Sequence, residues 1–568
     1  MALRTLSDLP AELLLIIFEP LTSGTILKVG KTCRSLNLVA LPVFLERMGM
    51  PDPETLAIVR PGHAGYGDKL TGLTINFGLI RIQQFVCVLD NYQDEQNHHL
   101  GALQSLTRNM RRLHQLFRRL SSISGVCLVF HSKWHRWNTE SSAFVEFLVA
   151  FCDVVEMLVV KRCDSIQIVH SHSVELESLH GFQHPKTDST TIGHFIRHLF
   201  SLENVSNRNT ASRQLSYTPP PIPPTLPQTP YHSILSSLDL NTNFTFTPQL
   251  AAFTLAIIKQ SPITSLTLSA TRNSIFNELN VKDGIFPQII DAVPSLQEIK
   301  LDLDSNIIFP FALENLARLP SLMNMTFGLT RCCEILSFEY QMRRNLVFQE
   351  LVSFTGSLDQ GTHLFGRIKT CPKLNFVNIV IDHYFTQPSW QTMVDRFFLL
   401  NKSFTVLEIN PRLSLCLSNR GERLAFRGNA DFLYVSRKAL SSVSHLTLEL
   451  PVFTGIDPSS MFAEQVHHVR GWVDLFCGLQ YLTVTIRHQF TPGLTSAEDV
   501  GLDADLTEAV IVACPRLSAV NVVNLHNTFH YHWSSARDDL ERGIDGIPKM
   551  NIRRNKAPMN PTYVCYHF

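Results

Sequence analysis

No stretch of this sequence reaches the roughly 18 uninterrupted apolar residues that a membrane-spanning helix requires. The run Leu13-Leu14-Leu15-Ile16-Ile17-Phe18 is far shorter. It also fails as a secretory signal, because Asp8 and Glu12 precede it and no small-residue cleavage site follows. An excess of one charge is missing too: 49 Asp and Glu balance 49 Lys and Arg. That balance excludes a general electrostatic grip on nucleic acid or on an anionic membrane. The expectation is an intracellular protein of the cytoplasm or nucleus. Cysteine pairs at metal-site spacing are lacking as well, since none of the 12 cysteines forms a Cys-x-x-Cys. They read as reduced, mostly buried thiols.

The usual signatures of catalysis are also missing. There is no Gly-rich loop followed by Lys-Ser or Lys-Thr, and Gly62-His63-Ala64-Gly65-Tyr66-Gly67 has no clear strand before it or helix after it. No Gly-x-Ser-x-Gly elbow is present. His170-Ser171-His172 and His530-Tyr531-His532 each put two imidazoles on one side of an extended segment, but neither has a third ligand close in sequence. Cys565 stands fourth from the end, as prenylation requires, yet Tyr566 and His567 are poor middle residues. The arginines 108, 111, 112, 118 and 119 interleave with Leu106, Met110, Leu113, Leu116 and Leu120, the pattern of an amphipathic helix with a solvated face. No enzyme, metal or cofactor is expected.

What is present is a repeat. An apolar residue, two others, an apolar residue, one other and a third apolar residue recur at Leu235/Leu238/Leu240, Ile263/Leu266/Leu268, Leu296/Ile299/Leu301, Leu322/Met325/Phe327, Leu374/Val377/Ile379, Phe404/Leu407/Ile409, Val443/Leu446/Leu448, Leu479/Leu482/Val484 and Leu517/Val520/Val522. With Phe348/Leu351 as a weaker copy, the steps from 299 to 325, 351 and 377 are each 26 residues. Leu70/Leu73/Ile75, Ile123/Val126/Leu128 and Val155/Leu158/Val160 fit the same frame less evenly. Such a period and pattern are those of leucine-rich repeats. Helix-like segments that end in a breaker precede many copies, as in residues 250–258 before Pro262, or 312–317 before Pro320. The predicted fold class is α/β: an irregular leucine-rich-repeat solenoid, or a generic α/β solenoid, over residues 70–536, with short parallel strands and helices on the convex side.

The last two apolar residues of each copy share one side of the strand, so the residue between them faces the other side. This gives a row of Asp239, Thr267, Lys300, Thr326, Asn378, Glu408, Thr447, Thr483 and Asn521. It is mixed and mostly uncharged, without the clustered arginines of a phosphate-reading pocket. Phe376 and Tyr481, adjacent on outward positions, are candidate anchors for a protein target, with Lys300 and Glu408 as polar contacts. Two stretches interrupt the repeat. The prolines of residues 217–230 force an extended segment, a stiff surface loop or a docking ligand for an SH3 or WW module. Residues 537–568 lose the pattern, as a cap or tail.

The N-terminus has a different character. Ser7, Asp8 and Pro10 mark a helix start, the run from Leu13 to Phe18 follows, and Pro20 stops it. Six successive apolar residues cover every side of a helix, more than packing against its own domain needs. A second, amphipathic helix is predicted from about Ile26, with a break at Leu41-Pro42 before Val43–Met48, giving three short helices. A linker is expected over 49–69.

Taken together, Leu9-Pro10-x-Glu12-Leu13, Ile17-Phe18, Val29-x-x-x-Cys33-Arg34-x-Leu36 and Leu41-Pro42 resemble the F-box, here over residues 5–48, with the remainder resembling the divergent leucine-rich-repeat class of F-box protein found in fungi. The resemblance implies a substrate-recognition subunit of an SCF-type E3 ubiquitin ligase. Leu9, Pro10, Leu13, Ile16, Ile17, Val29, Cys33 and Leu36 would form or support the interface with the Skp adaptor and, through it, a cullin. The target would be a protein of unknown identity, held by the solenoid. A leucine-rich-repeat scaffold without a ligase role is the alternative.

Overall fold

The computed structural model describes residues 6, 9–61, 69–90, 99–131, 141–170, 233–241, 245, 248–269, 284–302, 309–328, 345–382, 387–418, 430–450, 469, 473, 475–486, 517, 519–524 and 527–532. Gly62–Gly67, the proline-rich stretch and the segment from 537 onward, Cys565 included, lie outside them. The chain divides into two compact units, Met1–Leu301 and Asp302–His567.

The first unit opens with three helices, α1 (Ala11–Phe18), α2 (Ser23–Gly30) and α3 (Arg34–Arg47). The break between the second and third falls at Lys31-Thr32-Cys33, where the Thr32 hydroxyl donates to the Val29 carbonyl at 2.7 Å. The expected break at Pro42 does not occur, because Pro42 sits inside α3. Pro42 and Leu38 are both exposed, so the carbonyl left without its donor can be hydrated. A Cβ at Gly30 would overlap the Leu41 side chain, so glycine there permits the close approach of α2 and α3.

Strand and helix then alternate: β1 (Leu56–Val59), α4 (Lys69–Ile75), β2 (Arg81–Asp90), α5 (His99–Arg119), β3 (Ser122–His131), α6 (Ser142–Val160), β4 (Ser165–His170), β5 (Ser237–Asn241), α7 (Pro248–Gln260), β6 (Ser265–Ser269), α8 (Ile285–Ala292) and β7 (Glu298–Asp302). The strands lie in sequence order, and β1 to β6 pair in parallel. Strand β1 falls within the expected linker, so the sheet starts at Leu56. Leu70/Leu73/Ile75 and Val155/Leu158/Val160, expected as strand copies, belong to helices α4 and α6. Spacings of three residues suit a helix as well as this repeat.

Aromatic side chains fill the space between helices and sheet. Phe85 meets Phe117 edge-on at 5.2 Å, and Phe130 meets Phe147 at 6.2 Å. The opposite side of β2 to β4 is not open, however. Val86, Val88, Cys127, Val129 and Val169 form a second buried apolar cluster with Leu56 and Ile58 against it. The continuous apolar runs of β2 and β3 are those of strands buried on both faces.

The second unit contains α9 (Phe309–Leu316), β8 (Asn324–Phe327), β9 (Leu346–Val347), β10 (Ser353–Ser357), α10 (Leu358–Arg367), β11 (Ile368–Thr370), β12 (Phe376–Asp382), α11 (Gln387–Leu407), β13 (Arg412–Ser418), α12 (Ala430–Ala439), β14 (Val443–Leu450), β15 (Tyr481–Ile486), β16 (Ala519–Asn524) and β17 (Asn527–His532). Its sheet runs β8-β10-β12-β13-β14-β15-β16-β17, parallel until β17 turns back antiparallel. Strands β9 and β11 form a separate parallel pair. Phe354, Phe365 and Phe404 stack edge-on at 5.5 and 5.0 Å beneath the sheet.

Register corrects two copies of the repeat. Met325 pairs with Phe354, and Phe354 with Val377, so the strand between them is centred on Phe354 and not Leu351. Val377 pairs with Leu413, while Phe404 and Leu407 belong to α11. The apolar spacing there had caught the end of the helix instead of the strand behind it.

Candidate protein-binding surfaces

The first surface is built on α1. Pro10 caps its N-terminus, and the Pro10 carbonyl accepts from the amides of Leu13 and Leu14 at 3.1 Å each. Leu14 and Phe18, 2% and 0% exposed, fix the helix to its neighbours. Leu13, Ile16 and Ile17 remain 46%, 64% and 38% exposed, and Leu15 is exposed beside them. At the other end Arg47 of α3 donates to the carbonyls of Phe18, Glu19 and Leu21 at 3.0, 2.8 and 2.5 Å. A cation on those last carbonyls satisfies groups the helix cannot pair itself and complements its dipole.

Of the remaining residues expected at an adaptor interface, Pro10 and Cys33 are exposed, Leu9 and Val29 are half-buried, and Leu36 is buried. Leu36 therefore supports the helices from within. Sequence reasoning missed Leu38, exposed on α3; it occupies one of the apolar positions of an amphipathic pattern, which gave no sign that it points outward. The three helices are anchored to the sheet-bearing part of the unit by Asn37. Its amide donates to the carbonyls of Gly30 and Ile75 at 2.8 and 2.9 Å, and its Oδ1 accepts from the Phe77 amide at 2.9 Å.

The second surface is the side of the second unit's sheet away from its helices. Thr326, Thr355, Asn378, Ser414, His445 and Tyr481 follow one another across neighbouring strands. Thr447 and Thr483 form a parallel row, and on β16 Asn521 is the register partner of Thr483. Glu408 does not belong to either. It ends α11 with φ 54°, exposed, while Ile409 donates to the Phe404 carbonyl at 3.1 Å behind it. Lys300 is half-buried on β7 of the other strand set. Phe376 and Tyr481 are not adjacent: β13 and β14 lie between their strands.

A bulge sets the local geometry. Leu413 pairs with Val443 but Ser414 pairs with His445, so Ser444 is the extra residue and it faces outward together with His445. The Ser444 hydroxyl and His445 Nδ1 are hydrogen-bonded at 2.9 Å. His445 stacks on Tyr481 with ring centroids 4.4 Å apart and planes 19° from parallel. Burial, and then the neighbouring Arg412, hold His445 down at about 4, so it is neutral at pH 7. Beside this stack is an open cleft of about 640 Å³ lined by Asn375, Phe376, Asn410, Pro411, Arg412, Ser442 and Ser444. Sequence reasoning had singled out Phe376 and Tyr481 but not Arg412 or His445, because the bulge leaves the apolar spacing of Val443/Leu446/Leu448 unchanged.

Other groups noted in the sequence have structural partners. Arg112 donates to the Thr71 hydroxyl at 2.6 Å, and Arg119 donates to the carbonyls of Leu73, Asn76 and Leu79 at the end of α4. Burial pushes the Cys152 and Cys163 thiols up to about 12, which makes them unreactive. Cys416 departs from the expectation of reduced thiols, being disulfide-bonded. Among the described residues no group of three or more His, Cys, Asp or Glu is placed to hold a metal, and no helix is long and apolar enough to cross a membrane.

No protein-family model matches the chain, and no curated protein matches it.

Proposed function

We propose that this protein is a substrate-recognition subunit of an SCF-type ubiquitin ligase. It binds the Skp adaptor, and through it a cullin, with its N-terminal helices, and a protein target with its repeat region. The observation that carries this reading is α1: within the string Leu-Pro-x-Glu-Leu to Ile-Phe, Leu14 and Phe18 are buried while Leu13, Ile16 and Ile17 are left outside. Covering those three would be favourable by roughly 4–7 kcal/mol before the losses of association. Transfer chemistry belongs to other subunits of the ligase.

The test is size-exclusion chromatography of the full chain mixed with a Skp adaptor, followed by addition of cullin. Co-elution of all three supports the ligase role. A folded chain that elutes apart from the adaptor leaves the other reading, a repeat scaffold that binds partners through the polar side of its second sheet.

A further inference from the structure

The cleft at the leading edge of β12, β13 and β14 combines one cation, two amides and an aromatic wall. Arg412 opens β13 next to Phe376 of β12, its strand partner, and Asn375 and Asn410 occupy the turns that lead into the same two strands. Arg412, Asn375 and Asn410 are all exposed, and among the described residues none of their side chains forms a hydrogen bond or an ion pair. Ser442 is already committed, since it donates to Asn401 Oδ1 at 2.8 Å, and Ser444 is engaged by His445. Three sets of donors therefore face the cleft unengaged, beside the half-buried ring of Phe376.

We propose that this cleft binds an aspartate or glutamate side chain of the target polypeptide, with the Arg412 guanidinium on the carboxylate, the Asn375 and Asn410 amides around it, and Phe376 against the neighbouring apolar residue. This deepens the reading above by naming the chemistry of the target, and it rests on that reading in taking the ligand to be a protein. A planar guanidinium matches a carboxylate through two parallel hydrogen bonds. The single positive charge also selects between anions. His445 stays neutral at pH 7, so the cleft offers one cation, which balances a carboxylate but not a phosphoryl group carrying close to two charges.

The experiment is fluorescence anisotropy of the full chain with acetylated, amidated and fluorescein-labelled hexapeptides of leucine and glycine whose central residue is Glu, Gln or phosphoserine. The Glu peptide is expected to bind at least tenfold more tightly than the Gln peptide, and Arg412→Gln should remove that difference while Phe376→Ala weakens both. Equal binding of Glu and Gln peptides, an unaltered preference in Arg412→Gln, tighter binding of phosphoserine, or no binding up to millimolar peptide would each overturn the proposal. Both replaced side chains are at least partly exposed, and an unchanged thermal transition checks that the variants fold. Adaptor co-elution is measured on the same proteins. Peptide failure with adaptor binding intact removes this inference alone, and adaptor failure with peptide binding intact removes the ligase reading alone.

Discussion

The guanidinium of Arg47, in the last turn of α3, donates to the carbonyl of Phe18, the last residue of α1, at 3.0 Å. Two further carbonyls, of Glu19 and Leu21, accept from the same group. One side chain thus fixes the end of the helix whose outer face is apolar and exposed.

Replacing Arg47 with alanine should destabilise the N-terminal helices by about 1.5–3 kcal/mol, the range for charge-assisted hydrogen bonds. Amide hydrogen exchange over residues 11–18 should rise selectively. Arg47→Lys, which keeps the charge but not the fork of donors, should lie between the two.

Asn37 links three elements through one buried amide, so Asn37→Ala leaves the carbonyls of Gly30 and Ile75 and the amide of Phe77 without it. A loss of roughly 2–4 kcal/mol is expected in urea unfolding. Removal of residues 1–50 should be worse, because the side chains of Phe44 and Leu45 pack against α4 at Gly72.

How much of this was legible in the sequence depended on which periodicity a segment shared with its neighbours. Val126, Leu238, Leu266, Ile299, Met325, Val377 and Leu446 stood out because the two-residue alternation behind each marks a strand. Leu73 and Leu158 were misread because their three-residue spacing is equally helical, and Pro42 because its exposed position, which makes it tolerable in a helix, is a tertiary fact. The apolar excess of α1 was plain, since no helix buries six successive residues on one side. The Arg412, Ser444 and His445 arrangement was hidden: it follows from a register shift between strands, and local spacing carries no trace of it.

Among the described residues two helices end in the left-handed backbone region without glycine, at Arg162 (φ 58°) and Glu408 (φ 54°), whereas α3 ends there with Gly49 (φ 77°). Arg162 and Glu408 each sit where the amide one residue later bonds back into the last turn, Cys163 to Leu158 at 3.0 Å and Ile409 to Phe404 at 3.1 Å. Glu408→Gly and Arg162→Gly should each stabilise the protein by about 0.5–1 kcal/mol. Gly49→Ala should destabilise it by about 1 kcal/mol. Chemical denaturation midpoints distinguish these signs.

His363 is buried against Phe309, with ring centroids 5.7 Å apart. Burial, and then Arg367, lower it from 6.5 to about 4. On acidification the unfolded chain takes up this proton first. The second unit should therefore hold its full stability above about pH 6.5 and lose part of it as pH falls from 6.5 towards 4. Urea midpoints against pH should show that slope, and His363→Leu should reduce it, leaving the contribution of His445, which burial also lowers to about 4.

The most direct test of the account is capture of a purified Skp adaptor by the full chain, comparing wild type with Leu13→Asp/Ile16→Asp. Both positions are exposed on α1, so the variant should keep the wild-type thermal transition. Wild type should capture the adaptor, and the variant should bind it at least a hundredfold more weakly. Wild-type protein that is folded and captures no adaptor, or a variant that captures it as well as wild type, would contradict it.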